Sequence, residues 1–344
     1  MLQNDPMNRF LSLKIICLSL LLASGCTCRR EPSIPISSID VNVEVIRFEK
    51  DLFSLSIDSV DAQIAWMQGR YGEFFNQFCE GVIGIGNPSS PLFSSHLLGF
   101  VGDPMVRQAY LDVMGTFPDT HQLDTELTKA FRIYRYYFPA KPIPKIYSFV
   151  SGFNTSIMLT DSALGVGLDR YLGSDSEYYP RLGIHTYLAR NMHPGKISSD
   201  LVRAWALGEF PFNDSVNNVL SNIVYEGLLT YFTRTLLPHQ PDSIILGFTS
   251  DQMRWCLRNE AQMWTHLIEH KLLFNTDRFS IMKLVEPAPF TQPFTIESPG
   301  RAGVWLGYRI VQRYMDRNPG VTLTMLMQET DYQRVLNLSR YNPR

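Results

Sequence analysis

The string His266-Leu267-Ile268-Glu269-His270 holds the residue types of a metal centre. Two imidazoles four residues apart share one face of a helix and can hold zinc there, and Glu269 between them can serve as general base. Catalytic zinc takes three protein ligands, and no further motif in the chain supplies the third. Trp264, Leu267, Ile268 and Leu272 also lay an apolar stripe along this segment, so the competing reading is a packed helix whose histidines are surface groups. Other chemistries find less. There is no Gly-x-Ser-x-Gly elbow for a serine nucleophile, and Gly165-Val166-Gly167-Leu168-Asp169 lacks the third glycine and the following long helix of a phosphate loop.

The elements that must position such residues come from hydrophobic spacing. Val41, Val43 and Val45 alternate with polar residues and predict a strand. Ile64, Met67, Tyr71, Phe74, Phe75 and Phe78 predict a helix over 59–81, and further helices are expected over 104–116 and 124–138, ended by the proline-rich 139–144. Short runs at 145–150, 156–160 and 163–167 read as a three-stranded meander. Helices follow over 199–209, 214–236, 249–273, 303–317 and 321–329. The connection 274–300, with Pro287, Pro289 and Pro293, is a candidate groove wall. The expectation is an α+β fold, mainly helical, with a small antiparallel sheet in one globular domain over 39–344.

With 45% hydrophobic and 19% charged residues among 344, the chain can bury a sizeable core. A formal charge of -2 without long basic runs argues against nucleic acid as a partner. The first residues differ from the rest. Arg9 and Lys14 precede the apolar Ile15 to Ala23, which is shorter than the about 20 residues that span a bilayer, and Ser24-Gly25-Cys26 follows. This is a secretory signal over 1–25, and Ala-Ser-Gly-Cys resembles the lipobox of bacterial lipoproteins. That likeness implies a lipid on Cys26 and a polar tether over 26–38. Of the other cysteines, Cys79 and Cys256 sit in apolar helical patterns and are expected in the core.

Scattered strings converge on one family. Arg47-Phe48-Glu49-Lys50-Asp51, Tyr136-Tyr137-Phe138-Pro139, Gly152-Phe153-Asn154, Gly165 to Gly173 and Tyr225-Glu226-Gly227 are joined by Ala288-Pro289-Phe290-Thr291, Pro299-Gly300-Arg301 and Trp305-Leu306-Gly307-Tyr308. Together they resemble the gliding-motility-associated GldB lipoproteins of Bacteroidetes. The resemblance implies a lipid-anchored envelope protein facing the periplasm, partnered by the bilayer and by motility or secretion proteins, with no established activity and no cofactor.

A fainter likeness is to zinc metalloproteases that take a Glu as third ligand. It places Glu226 at that ligand, while Leu201-Val202-Arg203-Ala204-Trp205 holds no histidine where the zinc-binding helix would run. Glu226, Tyr225, Tyr308 and Asp169 are the candidate groove residues. For Glu226 the alternatives are packing against an arginine or lining the groove. Asp169, between a strand and Arg170, reads as a helix N-cap. The expected role is structural, the runner-up a zinc peptidase using His266, Glu269 and His270, and the third a peptide-binding module.

The lipid-anchor reading gives a direct expectation. Cys26→Ala should release the protein from membranes, because no other stretch is apolar enough to hold it. Carbonate-washed membrane fractions check this, and a variant that stays in the pellet contradicts it.

Overall fold

Val45–Arg47 (β1), Lys145–Phe149 (β2), Ile157–Leu159 (β3) and Ala163–Gly167 (β4) make a sheet in the order β1-β2-β4-β3. The computed structural model describes residues 36–344, so the signal segment, Cys26 and the tether up to residue 35 fall outside the described residues. Residues Ile36–Arg344 form one compact unit.

The sheet is mixed. β2 runs parallel to both β1 and β4, and only β3 is antiparallel, to β4. The expected antiparallel meander is corrected on this point, while the α+β class and the helical majority stand. β4 is buried along its whole length and β2 along all but its first residue. Strands covered on both faces suit the interior of a parallel arrangement, and the short β3, with Leu159 exposed, takes the edge.

Val41, Val43 and Val45 alternate inward as expected and are all buried. Their backbone is nevertheless satisfied by a helix, α4 (His121–Tyr137). The Val43 amide donates to Thr128 Oγ1, the Val45 amide donates to Asp124 Oδ1, and Arg132 donates to the Val41 carbonyl. Regular pairing therefore starts only at Val45. Just beyond, Arg47 pairs with the fully buried Glu49, whose second oxygen accepts from Ser148 Oγ on β2.

The other helices of eight residues or more are α1 (Val60–Tyr71), α2 (Phe93–Gly102), α3 (Pro104–Thr116), α5 (Ile197–Glu209), α6 (Val219–Leu236), α7 (Ser250–Glu269), α8 (Arg278–Val285), α9 (Ala302–Arg317) and α10 (Tyr332–Ser339). The expected helix over 59–81 breaks at Gly72, whose φ of 55° is left-handed. The α6 start moves from 214 to 219, because Asn218 and Ser221 form a reciprocal cap there. Thr249 and Gln252 cap α7 in the same way. The 274–300 connection contains α8, and α2 and α10 join the elements read from the sequence.

α6 is the axis of the helical part. It is buried on most of its circumference and packs chiefly on α9. The two backbones nearly touch at a pair of glycines. A Cβ on Gly227 would stand 2.3 Å from the Gly307 carbonyl, and one on Gly307 would stand 1.6 Å from the Ile223 carbonyl. Glycine in a helix interior costs about 1 kcal/mol relative to alanine, so this crossing is where that cost is offset by contact.

A side chain at the crossing must push two helices apart. Gly227→Leu should destabilise the protein by at least the roughly 1–3 kcal/mol typical of overpacking. Urea unfolding measures it, and an unchanged midpoint would remove the packing argument.

Candidate functional site

A carboxylate largely withdrawn from water needs compensation, since its desolvation costs free energy. Glu226, on α6 one residue before the glycine crossing, receives it from two sides. Arg203 Nη2 on α5 donates to both of its oxygens at 2.8 Å, and Arg301 Nη2 donates to Oε2 at 3.1 Å. Burial by itself would raise the Glu226 pKa. Arg203 and then Arg301 outweigh it and hold the carboxyl below its usual value. Arg203 gains in turn: burial opposes its charge, and Glu226 more than restores it. Burial prevails at Arg301, whose proton affinity is lowered despite Glu226, with Arg203 adding like-charge repulsion.

The proline-bearing connection delivers Arg301. Thr291 is fully buried; its Oγ1 donates to the Pro299 carbonyl and accepts from the Ala302 amide at the start of α9. Its own amide donates to Ser298 Oγ. Gly300 passes so close to Ala288 that a Cβ would stand 2.0 Å from the Ala288 carbonyl oxygen. Arg301 then adopts a left-handed φ of 64°, and its Nε donates to the Val285 carbonyl. Two strings of the same connection, 288–291 and 299–301, are thus one device for aiming a guanidinium.

Arg203 and Arg301 form part of the lining of a cleft of about 310 Å³, together with Arg170, Arg190, Lys196 and Asp200. Lys196 comes from the turn Pro194–Lys196 that leads straight into α5. Its ammonium donates to Ser199 Oγ and the Ile245 carbonyl and pairs with Asp200 at 3.1 Å. Asp200 also accepts from the Tyr171 hydroxyl. Arg170 donates to the Phe153 carbonyl and to Ser156 Oγ.

None of the sequence-derived groove residues lines this cleft. Glu226 is the anchor behind two lining arginines. Tyr225 and Tyr308 are buried, the first donating to the Phe210 carbonyl and the second to Asp242. Asp169 lies within the turn Leu168–Tyr171, so it does not cap that turn's start as expected. Its Oδ2 instead accepts from the Ser151 and Phe153 amides, holding the 151–153 loop in which Phe153 has a φ of 67°.

The two histidines at the C-terminal end of α7, His266 within it and His270 just after it, face each other. The His266 and His270 rings stack at 4.1 Å, and His270 Nδ1 lies 3.0 Å from the His266 carbonyl. Burial and then His270 lower the His266 pKa. Among the described residues no group of three or more His, Cys, Asp or Glu is placed to hold a metal. Cys79 and Cys256 are buried, unpaired core residues, and burial pushes the Cys256 thiol up to about 12.

The lining cations Arg170, Arg190 and Lys196 went unread in the sequence. They are spread along the chain with no common spacing, and only the fold assembles them.

Asp169 gives a pH signature. It is fully buried, and burial raises its pKa from 3.8 to about 6 against the opposing pull of the two amides and of Arg170. The native state therefore holds this proton more tightly than the unfolded chain. The associated stability is complete below about pH 4 and is lost as pH rises through about 6, a change on the order of 3 kcal/mol. The stability difference between the native protein and Asp169→Asn, from urea unfolding at pH 4 to 7, should fall across that window. A constant difference would contradict it.

No curated protein and no solved structure matches the chain. The family described as "Gliding motility protein GldB" does, over residues 29–343. The match spans nearly the whole length, including α5, α6 and the segment that aims Arg301, and the chain belongs to that family.

Proposed function

We propose that the protein acts as a non-enzymatic envelope lipoprotein, anchored through Cys26 and facing the periplasm, in assembling or supporting the gliding motility apparatus and its associated secretion machinery. Family membership supports the motility setting. The lipobox-like Ala23-Ser24-Gly25-Cys26 supports the anchor, as does the finding that no helix among the described residues is long and apolar enough to cross a membrane.

The observation that carries the non-enzymatic reading is the state of Glu226. A carboxylate that served as a zinc ligand would have to face a cation in open coordination, and here two guanidiniums hold it. A zinc ion would have to displace them and would then stand beside two positive charges. The stacked imidazoles of α7 would likewise have to part before both could turn a nitrogen to one metal.

Elemental analysis of the full-length chain after incubation with zinc tests this, together with a peptide-cleavage assay. The expected result is no stoichiometric zinc and no cleavage. Near one zinc per chain, lost in both His266→Ala and His270→Ala, would overturn the reading in favour of a peptidase built on His266, Glu269 and His270.

A further inference from the structure

The cleft in front of Glu226 concentrates charge of one sign. Its lining holds five cations, Arg170, Arg190, Lys196, Arg203 and Arg301, and one acid, Asp200. Counting Glu226 behind the wall as well, five positive charges face two negative ones, an excess of three in a chain whose formal net charge is -2. Cations gathered inside low-dielectric walls repel one another and attract counter-charge. Their environment bears this out. Burial lowers the proton affinity of Arg190, Lys196 and Arg301, and at Lys196 the charges of Arg301 and Arg203 lower it further.

The internal partners leave donors over. Arg203 gives one nitrogen to Glu226, and Arg301 gives one to Glu226 and one to the Val285 carbonyl. Arg190 is the least engaged: Nη2 reaches the Gly247 carbonyl only at 3.5 Å, and Nε is buried with no hydrogen-bond partner. A buried donor of this kind is rare in a folded protein and calls for an acceptor. The side chains of Arg203 and Arg301 keep 27% and 26% of their surface exposed, so these forks remain accessible beside the groups that hold them.

We propose that this cleft binds a phosphate group, free or carried as an ester. A planar carboxylate is served by a single bidentate arginine. A tetrahedral oxyanion of up to two charges uses donors arriving from several directions, and here they come from the turn after β4, the 190–196 segment, α5 and the start of α9. Lys196 contributes field, because Ser199, Ile245 and Asp200 already occupy its ammonium; the guanidiniums contribute the hydrogen bonds. The proposal is independent of whether the protein is an enzyme.

Calorimetric titration of the full-length chain in a neutral detergent, at fixed ionic strength, tests it. The probes are inorganic phosphate, glycerol 3-phosphate, dihexanoyl phosphatidylglycerol and acetate. Saturable binding of one phosphate-bearing probe per chain is expected, with at least a tenfold loss of affinity in Arg190→Gln and none in Arg254→Gln, on the exposed face of α7. Tighter binding of the short-chain lipid than of glycerol 3-phosphate would make a lipid head group the source, and the reverse order a soluble phosphate. Should Arg190→Gln fail to fold by circular dichroism, Arg170→Gln reads the same loss. No saturable binding of any phosphate probe, binding unchanged in the folded cleft variants, or acetate binding as tightly as phosphate would overturn the proposal.

Discussion

The requirement that a half-buried carboxylate be neutralised organises the central part of this protein. Glu226 sits half-buried on a helix most of whose residues are buried, where an unpaired charge would be costly. It is answered by Arg203 from the preceding helix and Arg301 from the loop before α9. Those two partners lock three stretches of chain into one arrangement. The glycine crossing one residue on, Gly227 against Gly307, brings α9 close enough for Arg301, the residue just before it, to reach α6. The long connection then becomes intelligible: Thr291 and Gly300 fold it back so that Arg301 arrives with the right geometry.

The same requirement shapes what the surface can do. Satisfying Glu226 brings two guanidiniums into the lining of a cleft that also holds Lys196, Arg170 and Arg190. One negative charge at the base is outnumbered, and the opening is left electropositive within an otherwise slightly acidic chain. A carboxylate tied in this way serves poorly as a metal ligand or general base, because its lone pairs and its charge are both committed. Asp169 follows a related logic. It is spent on loop amides, and its neighbour Arg170 is the residue that reaches the cleft wall.

How much of this was legible in the sequence varied with the range of the interaction. Helices such as 104–116, and 199–209 against an observed Ile197–Glu209, were readable because local spacing fixes their buried faces. The close approach at Gly227 was readable as well, since glycine inside a strongly helical segment needs a packing reason. Strand pairing was not, because alternation at 41–45 says which residues point inward but not what lies opposite, and there the partner proved to be the side chains of α4. That Glu226 would meet an arginine could be foreseen on chemical grounds. Which arginines, and that Arg190 and Lys196 would join them in one cleft, depended on the fold bringing together residues up to 111 positions apart (301 − 190), for which no local pattern exists.

The account turns on coupling between Glu226 and its arginines, and a double-mutant cycle on Glu226→Gln and Arg301→Gln measures that coupling most directly. Glu226→Gln leaves both arginines without their carboxylate, Arg301→Gln leaves Glu226 to Arg203 alone, and the double variant removes both members of the pair. Urea unfolding should therefore show the double variant losing less stability than the sum of the singles, by about 1–3 kcal/mol. Additive losses, with no coupling beyond about 0.5 kcal/mol, would contradict the central place given to this pair.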